Sequence, residues 1–257
     1  MIRYIKSQIL RCIYMAAEKN AMSVSAAMLN HETFAPLRNL CAGKDVVVCG
    51  AGPTLQKYQP IEGAIHIALN RAFLYDKVQF DYVFAQDWDG IKMVQQELID
   101  YKGNNCVKLL ARNFSGAKSI PESYAIKCKA KQFVTDDYLF HNGYLSKFVN
   151  DIDSRCIGGM PNVGMSSMQF ALFLNPKRLY IVGCDMSGVH FVNKNQNDKE
   201  KAAEKKELEE NWKNNMKPLL AKWEEFKVFT KTFYPETEII SVNPVGLKGM
   251  FTDLYQE

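Results

Sequence analysis

The 257-residue chain is short of most features that name a chemistry at sight. Its seven cysteines are odd in number and contain no C-x-x-C pair, which argues against a disulfide framework or a zinc site. Cys49 and Cys184 close apolar runs, where cysteine behaves as a small hydrophobe, so a reducing, cytoplasmic compartment is expected. No uninterrupted apolar stretch of about 18 residues occurs, and no transmembrane helix is expected. Met1–Met15 is broken by Arg3, Lys6 and Arg11, so a signal peptide is not expected either. Neither a G-x-S-x-G elbow nor a Walker A sequence is present, which removes support for serine-hydrolase and ATPase chemistry. Charge of one sign is also lacking. The net +4 suits an anionic ligand and gives no sign of nucleic-acid binding.

What remains is an ordinary globular composition and a length that fits one large α/β domain with appendages. The most informative stretch is Val46-Val47-Val48-Cys49-Gly50-Ala51-Gly52-Pro53-Thr54-Leu55. An apolar strand runs into a Gly-x-Gly-Pro turn that a short helix can follow. That junction aims backbone N–H groups and a helix N-terminus at an anion, so a phosphorylated ligand, most simply a nucleotide, is expected. Further strands are expected at 64–69, 82–85, 107–111, 179–182 and 239–242, mostly short apolar runs without alternation. Such strands suit a parallel sheet covered on both faces. The predicted fold class is therefore α/β: a Rossmann-like, mostly parallel sheet with helices on both faces, plus N-terminal and late helical additions. The predicted organisation is a helical segment over 1–43 and a nucleotide-binding catalytic domain over 44–257. A helical insertion at about 198–230 is expected to break or restart near Pro218.

Polar residues collect where these strands end: Thr54, Asn70, Gln86, Asp87, Asp89, Asp185 and Asn243. Ligands of open α/β sheets bind outside the carboxyl ends of the strands, so this set sketches one site. Asn162-Val163-Gly164-Met165-Ser166-Ser167 opens a helix; its small residues serve either an anion at the positive dipole end or close packing. Asp87-Trp88-Asp89-Gly90 has two carboxylates that could share magnesium on a diphosphate, or Asp87 could cap the next turn. His190, five residues after Asp185, is the candidate general base; His31, His66 and His141 lack a comparable setting. The polar stretch 193–197 reads as a lid or as a solvated insertion. Ile2, Ile5, Ile9 and Ile13 recur at helical spacing among basic residues. Residues 1–15 would then rest on a membrane surface, or pack on the main domain or a partner chain.

Taken in order, the Gly50–Leu55 turn, Asn70, Asn162–Ser167, Gly183-Cys184-Asp185 and Ser241-Val242-Asn243-Pro244 resemble the bacterial sialyltransferases of Campylobacter type, glycosyltransferase family 42. They are equally similar to the Rossmann-type family of archaeal 6-hydroxymethylpterin diphosphokinases and flagellin-modifying Maf proteins. The first resemblance implies that Gly50, Ala51, Gly52, Pro53, Thr54 and Asn70 hold the cytidine monophosphate part of a donor, Ala51 replacing a ligand-contacting Asn. It implies phosphate contacts from Asn162, Gly164 and Ser166. Met186 and Ser187 stand where that family has tyrosines for the leaving phosphate. Its catalytic His lies further along, in a segment without a counterpart here. The diphosphokinase resemblance rests on Asp87-Trp88-Asp89-Gly90 and implies Asp87 and Asp89 as magnesium ligands.

The expectation is a glycosyltransferase using a nucleotide-activated sugar, CMP-sialic acid or a related CMP-sugar, in bacterial surface glycan synthesis. Asn70 and Asn243 would contact the nucleoside, Asp185 would orient the site and His190 would deprotonate an acceptor hydroxyl. Partners would be the donor and a glycan or lipid-linked acceptor, with no nucleic acid. No cofactor is required in this reading, and a homo-oligomer is compatible with it. The location would be cytoplasmic, at the inner membrane surface if residues 1–15 bind there. The alternatives are a magnesium-dependent diphosphokinase and a catalytically silent nucleotide-binding protein.

Overall fold

The computed structural model describes residues 9, 10, 13, 23–103, 105–112, 119–136, 143–186 and 198–256, with side chains of the last span described from 216 onward. Eight strands form a single sheet: β1 (Asp45–Cys49), β2 (Ile65–Leu69), β3 (Tyr82–Ala85), β4 (Val107–Ala111), β5 (Lys131–Phe133), β6 (Arg178–Val182), β7 (Glu238–Val242) and β8 (Thr252–Leu254). Every pairing is parallel, and the order across the sheet is β5-β4-β3-β2-β1-β6-β7-β8. The chain builds outward from β1 to β5, then crosses back to lay β6 on the other flank of β1. That reversal makes the β1/β6 junction the topological switch point, the usual ligand crevice of a doubly wound sheet.

The non-alternating pattern of β1 has a direct cause. Val46 and Val48 face one apolar cluster, while Val47 and Cys49 face a second on the opposite side, and all four are buried. The six expected strands are all present. β5 and β8 were not expected, because each has three residues and β8 buries none of them. In β4, Lys108 interrupts the apolar run yet is buried; its Nζ donates to the Ile99 carbonyl at 3.0 Å and burial pushes its pKa down.

Helices cover the sheet. Residues 23–34 form α1; α2 is Gln95–Asp100 and α3 is Glu122–Lys127. The fourth, α4, is Val163–Phe173. It is buried from Gly164 onward because it packs on β1 and β2 as a fully interior helix. The fifth, α5, is Asp198–Phe233 and runs unbroken through Pro218, contrary to the expected interruption. An interior proline costs about 3 kcal/mol. Leu219, Trp223 and Phe226 on the following turns are buried, and each such side chain returns roughly 1.5–3 kcal/mol.

The segment ahead of β1 is integral to this core. Asn30 donates through Nδ2 to the carbonyls of Val134 (3.1 Å) and Arg155 (2.9 Å) and accepts the Val134 N–H at 2.7 Å. Phe34 sits among Phe133, Phe170 and Phe173. Among the described residues, no helix is long and apolar enough to cross a membrane.

Candidate functional site at the switch point

Two glycine loops meet where β1 and β6 end. The Gly50 N–H donates to the Val182 carbonyl and the Gly52 N–H to the Gly183 carbonyl, both at 2.8 Å. The backbones touch so closely that a Cβ on either Gly50 or Gly183 would overlap the other's carbonyl oxygen. Gly183 also has φ +66°, a left-handed conformation that glycine adopts without strain.

Asp185 locks this seam. Its carboxylate accepts the Thr54 N–H at 2.7 Å and the Thr54 hydroxyl. A Cβ on Gly52 would lie 2.6 Å from Asp185 Oδ2, so the turn is shaped around that carboxylate. The N–H groups of Gly50, Gly52 and Thr54, expected to cradle a phosphate, are thus engaged by β6 and its loop. The anion held at the start of the Pro53–Lys57 turn of 3-10 helix is the chain's own Asp185. Burial raises the Asp185 pKa, and the two Thr54 hydrogen bonds oppose the rise. Ala51 is buried in the second apolar cluster.

The N-terminus of α4 abuts the same place. The Cβ position of Gly164 is 3.6 Å from Cys184 Sγ and 3.8 Å from Leu69 Cδ1, so α4 begins against the ends of β2 and β6. Asn162 caps it, its Oδ1 accepting the Gly164 N–H at 2.7 Å. Burial, then the nearby Asp185, push the Cys184 thiol up to about 12, so the sulfur between the Gly50 turn and α4 is neutral at pH 7. Ser166 does not fit the phosphate contact implied for it. It is fully buried; its hydroxyl donates to Gln86 Oε1 at 2.5 Å and accepts the Met160 N–H at 2.9 Å. Gln86 completes the link by donating to the Met160 carbonyl at 3.1 Å. Ser166 and Gln86 therefore tie α4 to the end of β3.

Asn70 follows β2 with φ +50°, and among the described residues no donor reaches its buried Oδ1. Asn243 follows β7 with φ +48°; its Oδ1 accepts the Gln256 N–H at 2.8 Å, and its buried Nδ2 has no partner among the described residues. Met186, with φ +56°, is buried with its side chain packed against Gly246, so it does not take the part of a leaving-group tyrosine. Strained, left-handed backbone at the exits of β2, β6 and β7 is characteristic of sites that hold polar groups in fixed positions.

The two carboxylates of Asp87-Trp88-Asp89-Gly90 diverge. Asp87 Oδ1 accepts the Gly90 N–H at 2.9 Å, while Asp89 pairs with Lys92 at 2.7 Å. Among the described residues no group of three His, Cys, Asp or Glu side chains could hold a metal ion. Sequence reasoning missed Asp136, just beyond β5. Burial raises its pKa against several hydrogen bonds, including the Gly159 N–H at 2.6 Å. No motif marks it. His190, Ser187 and the 193–197 stretch lie outside the described residues.

The fold is that of a doubly wound, all-parallel α/β protein, with a small cavity between the exits of β6 and β7 lined by the 183–185 loop, Ser241 and Pro244. No protein-family model and no curated protein matches the chain. Among solved structures, it is similar to the sialyltransferase CST-II in complex with trisaccharide acceptor and CMP: 16% identity, TM-score 0.46, covering 82% of this chain and 86% of that one. Similar too is CstII from Campylobacter jejuni in complex with the substrate analogue CMP-3FNeuAc (10% identity, TM-score 0.46, 82% and 86% covered). A third is the monofunctional α-2,3-sialyltransferase Cst-I from the same organism (12%, TM-score 0.44, 77% and 75%).

Proposed function

We propose that the chain is a glycosyltransferase that takes a nucleotide-activated sugar, a CMP-sugar in the first instance, and transfers the sugar to a glycan or lipid-linked hydroxyl. One observation carries the reading: the end of β2 with Asn70, the N-terminus of α4 and the Gly183–Asp185 loop all border the switch point. The donor phosphate goes to the positive end of α4 beside Asn162, and not to the Gly50–Thr54 amides, which Val182, Gly183 and Asp185 already occupy. The nucleoside lies against Asn70. Asp185 is a positioning residue that fixes the two glycine loops through Thr54. His190 is assigned the acceptor proton. No step of this reading runs through a metal; Asp87 bonds the Gly90 N–H and Asp89 pairs with Lys92. The basic, apolar N-terminal segment, with Ile9, Leu10 and Ile13 exposed, suits contact with an anionic lipid surface where lipid-linked acceptors reside. Co-sedimentation with anionic vesicles, lost in an Ile9→Asp/Ile13→Asp variant, tests that part.

The main test is a thermal-shift panel of nucleotides with and without magnesium, followed by donor hydrolysis across nucleotide sugars. A ligand at about 100 times its Kd stabilises by about 2.7 kcal/mol. Stabilisation by CMP without metal supports the reading. A shift only with magnesium and ATP would replace it with the diphosphokinase alternative, and no shift with any nucleotide would remove both. Full transferase activity in His190→Ala would take that residue out of the mechanism.

A further inference from the structure

Between the sheet edge and α4 the chain runs through a buried strip, Ile157 to Met160. Ile157 still pairs with the sheet edge: its N–H donates to the Val134 carbonyl at 3.1 Å and its carbonyl accepts the Asp136 N–H at 2.9 Å. From Gly158 onward, side chains take the place of a neighbouring strand. Gln169 on α4 accepts the Gly158 N–H at 3.1 Å through Oε1 and donates to the Gly158 carbonyl at 2.9 Å through Nε2. Asp136 accepts the Gly159 N–H at 2.6 Å, and the Ser146 hydroxyl donates to the Gly159 carbonyl at 3.1 Å. Ser166 and Gln86 take the N–H and the carbonyl of Met160. Every backbone N–H and C=O from Gly158 to Met160 is thereby met by a side chain, as burial requires. The 143–149 segment braces the strip as well. Gln169 Oε1 also accepts the Val149 N–H at 3.0 Å, and a Cβ on Gly158 would overlap the Lys147 carbonyl oxygen. Only Pro161 separates the strip from Asn162, the cap of α4, so a shift of Met160 reaches the first turn of that helix.

We infer that Gly158–Met160 is a rigid strut that presets the first turn of α4 for the phosphate of the ligand, with Asp136, Ser146 and Gln169 as its positioning residues. They act through the strut and not on the ligand. A phosphate gains most from N–H groups already held in place, because binding then does not have to order them. The strut touches the phosphate end of the site alone, so it favours a nucleotide over the matching nucleoside. The inference rests on the placement of the donor phosphate at α4 in the functional reading above.

Isothermal titration with CMP and with cytidine tests it on full-length wild type, Asp136→Ala, Asp136→Asn and Gly158→Ala. Asp136→Ala strands the Gly159 N–H, and Gly158→Ala drives the strut off the Lys147 carbonyl. Each should weaken CMP about tenfold, the worth of one charge-assisted hydrogen bond, and cytidine less than about threefold. Asp136→Asn keeps an acceptor oxygen for Gly159 and should stay closer to wild type than Asp136→Ala for CMP. Equal losses for CMP and cytidine, unchanged CMP affinity in both alanine variants, or Asp136→Asn losing as much as Asp136→Ala would overturn the inference. Amide hydrogen exchange gives a second readout. In wild type the Gly158, Gly159 and Met160 amides should exchange only with global unfolding; exchange ahead of it refutes a rigid strut, even where the alanine variants do not fold. In Asp136→Ala the Gly164 and Met165 amides, bonded to Asn162, should exchange faster than in wild type. If wild type binds neither CMP nor cytidine, the nucleotide reading fails by itself. Exchange then decides the strut, and unchanged protection of Gly164 and Met165 in Asp136→Ala refutes it.

Discussion

The seam between Gly50 and Gly183 invites a substitution series, because it separates crowding from backbone conformation. At Gly50 the backbone is unexceptional, but an added Cβ overlaps the Gly183 carbonyl, 2.9 Å from its carbon and 3.0 Å from Cys184 Sγ. The obstacle is the backbone of the loop that leaves β6, so no rotamer change relieves it. Forcing a methyl into such a place costs about 2–3 kcal/mol. Gly43 is the mirror case: φ is +76°, and nothing lies within 4 Å of its Cβ position. Alanine there meets only the left-handed penalty of about 1 kcal/mol. Gly183 combines both handicaps, a φ of +66° and the Gly50 carbonyl, so its alanine variant should lose about 3–4 kcal/mol. For a chain of this size 1 kcal/mol moves Tm by roughly 2–4 °C. The expected falls are therefore about 3 °C for Gly43→Ala, about 7 °C for Gly50→Ala and about 10 °C for Gly183→Ala. Scanning calorimetry on the three variants measures this order. A Gly43→Ala protein that melts at or below Gly50→Ala would refute the claim that backbone crowding, and not φ, governs the seam.

Three other outcomes are expected. Because burial raises the folded-state pKa of Asp185 above 3.8, the folded protein binds more protons than the unfolded chain between those two values. The Asp185 contribution to stability is therefore full below pH 3.8 and falls as pH rises through the raised pKa. Asp185→Asn keeps the Thr54 N–H bond through its amide oxygen, with its NH2 donating to the Thr54 hydroxyl, and removes that titration, so its Tm should gain on wild type as pH rises; a pH-independent difference would contradict this. Ser166→Ala removes the hydroxyl that bonds Gln86 Oε1 and the Met160 N–H and should cost about 1–3 kcal/mol in urea denaturation; a neutral result would show that the hydroxyl is dispensable. Lys222 sits buried on α5 with its Nζ bonded to the Ser146 carbonyl at 2.8 Å and to Glu225 at 2.6 Å. Lys222→Met should cost about 1–3 kcal/mol and speed proteolysis between residues 143 and 149; unchanged cleavage would count against that anchor.

The parts of the fold that announce themselves in the sequence are those buried on both faces. Val46–Cys49 and Leu179–Val182 have no alternative to a central parallel strand. Lys131–Phe133 and Thr252–Leu254 are edge strands defined by their neighbour's hydrogen bonds, and three residues carry no period to read. Pro218 misleads for a related reason: the burial of Trp223 decides the helix, and burial is not local. At the site, the strand-end positions are legible but their engagements are not. Thr54 and Asp185 are 131 residues apart and satisfy one another, and Ser166 and Gln86 do the same across 80 residues. Only the short-range engagement, Asp87 closing on Gly90, belongs to the alternatives the sequence itself offers.

The strand order also sets a timetable. Asp45 and Arg178, the first pair of the β1/β6 register, are 133 residues apart. At ribosomal rates of about 5–20 residues per second, β1 waits on the order of ten seconds with one edge unpaired. During that interval β2 to β5 can assemble on its other side, each next to a strand already made. A nascent chain halted before residue 178 would therefore carry the Gly50 turn without the Gly183 loop that faces it, and would expose an apolar strand edge open to mispairing. Chaperone dependence and aggregation of such truncated products should rise steeply just below that length and drop once β6 has emerged.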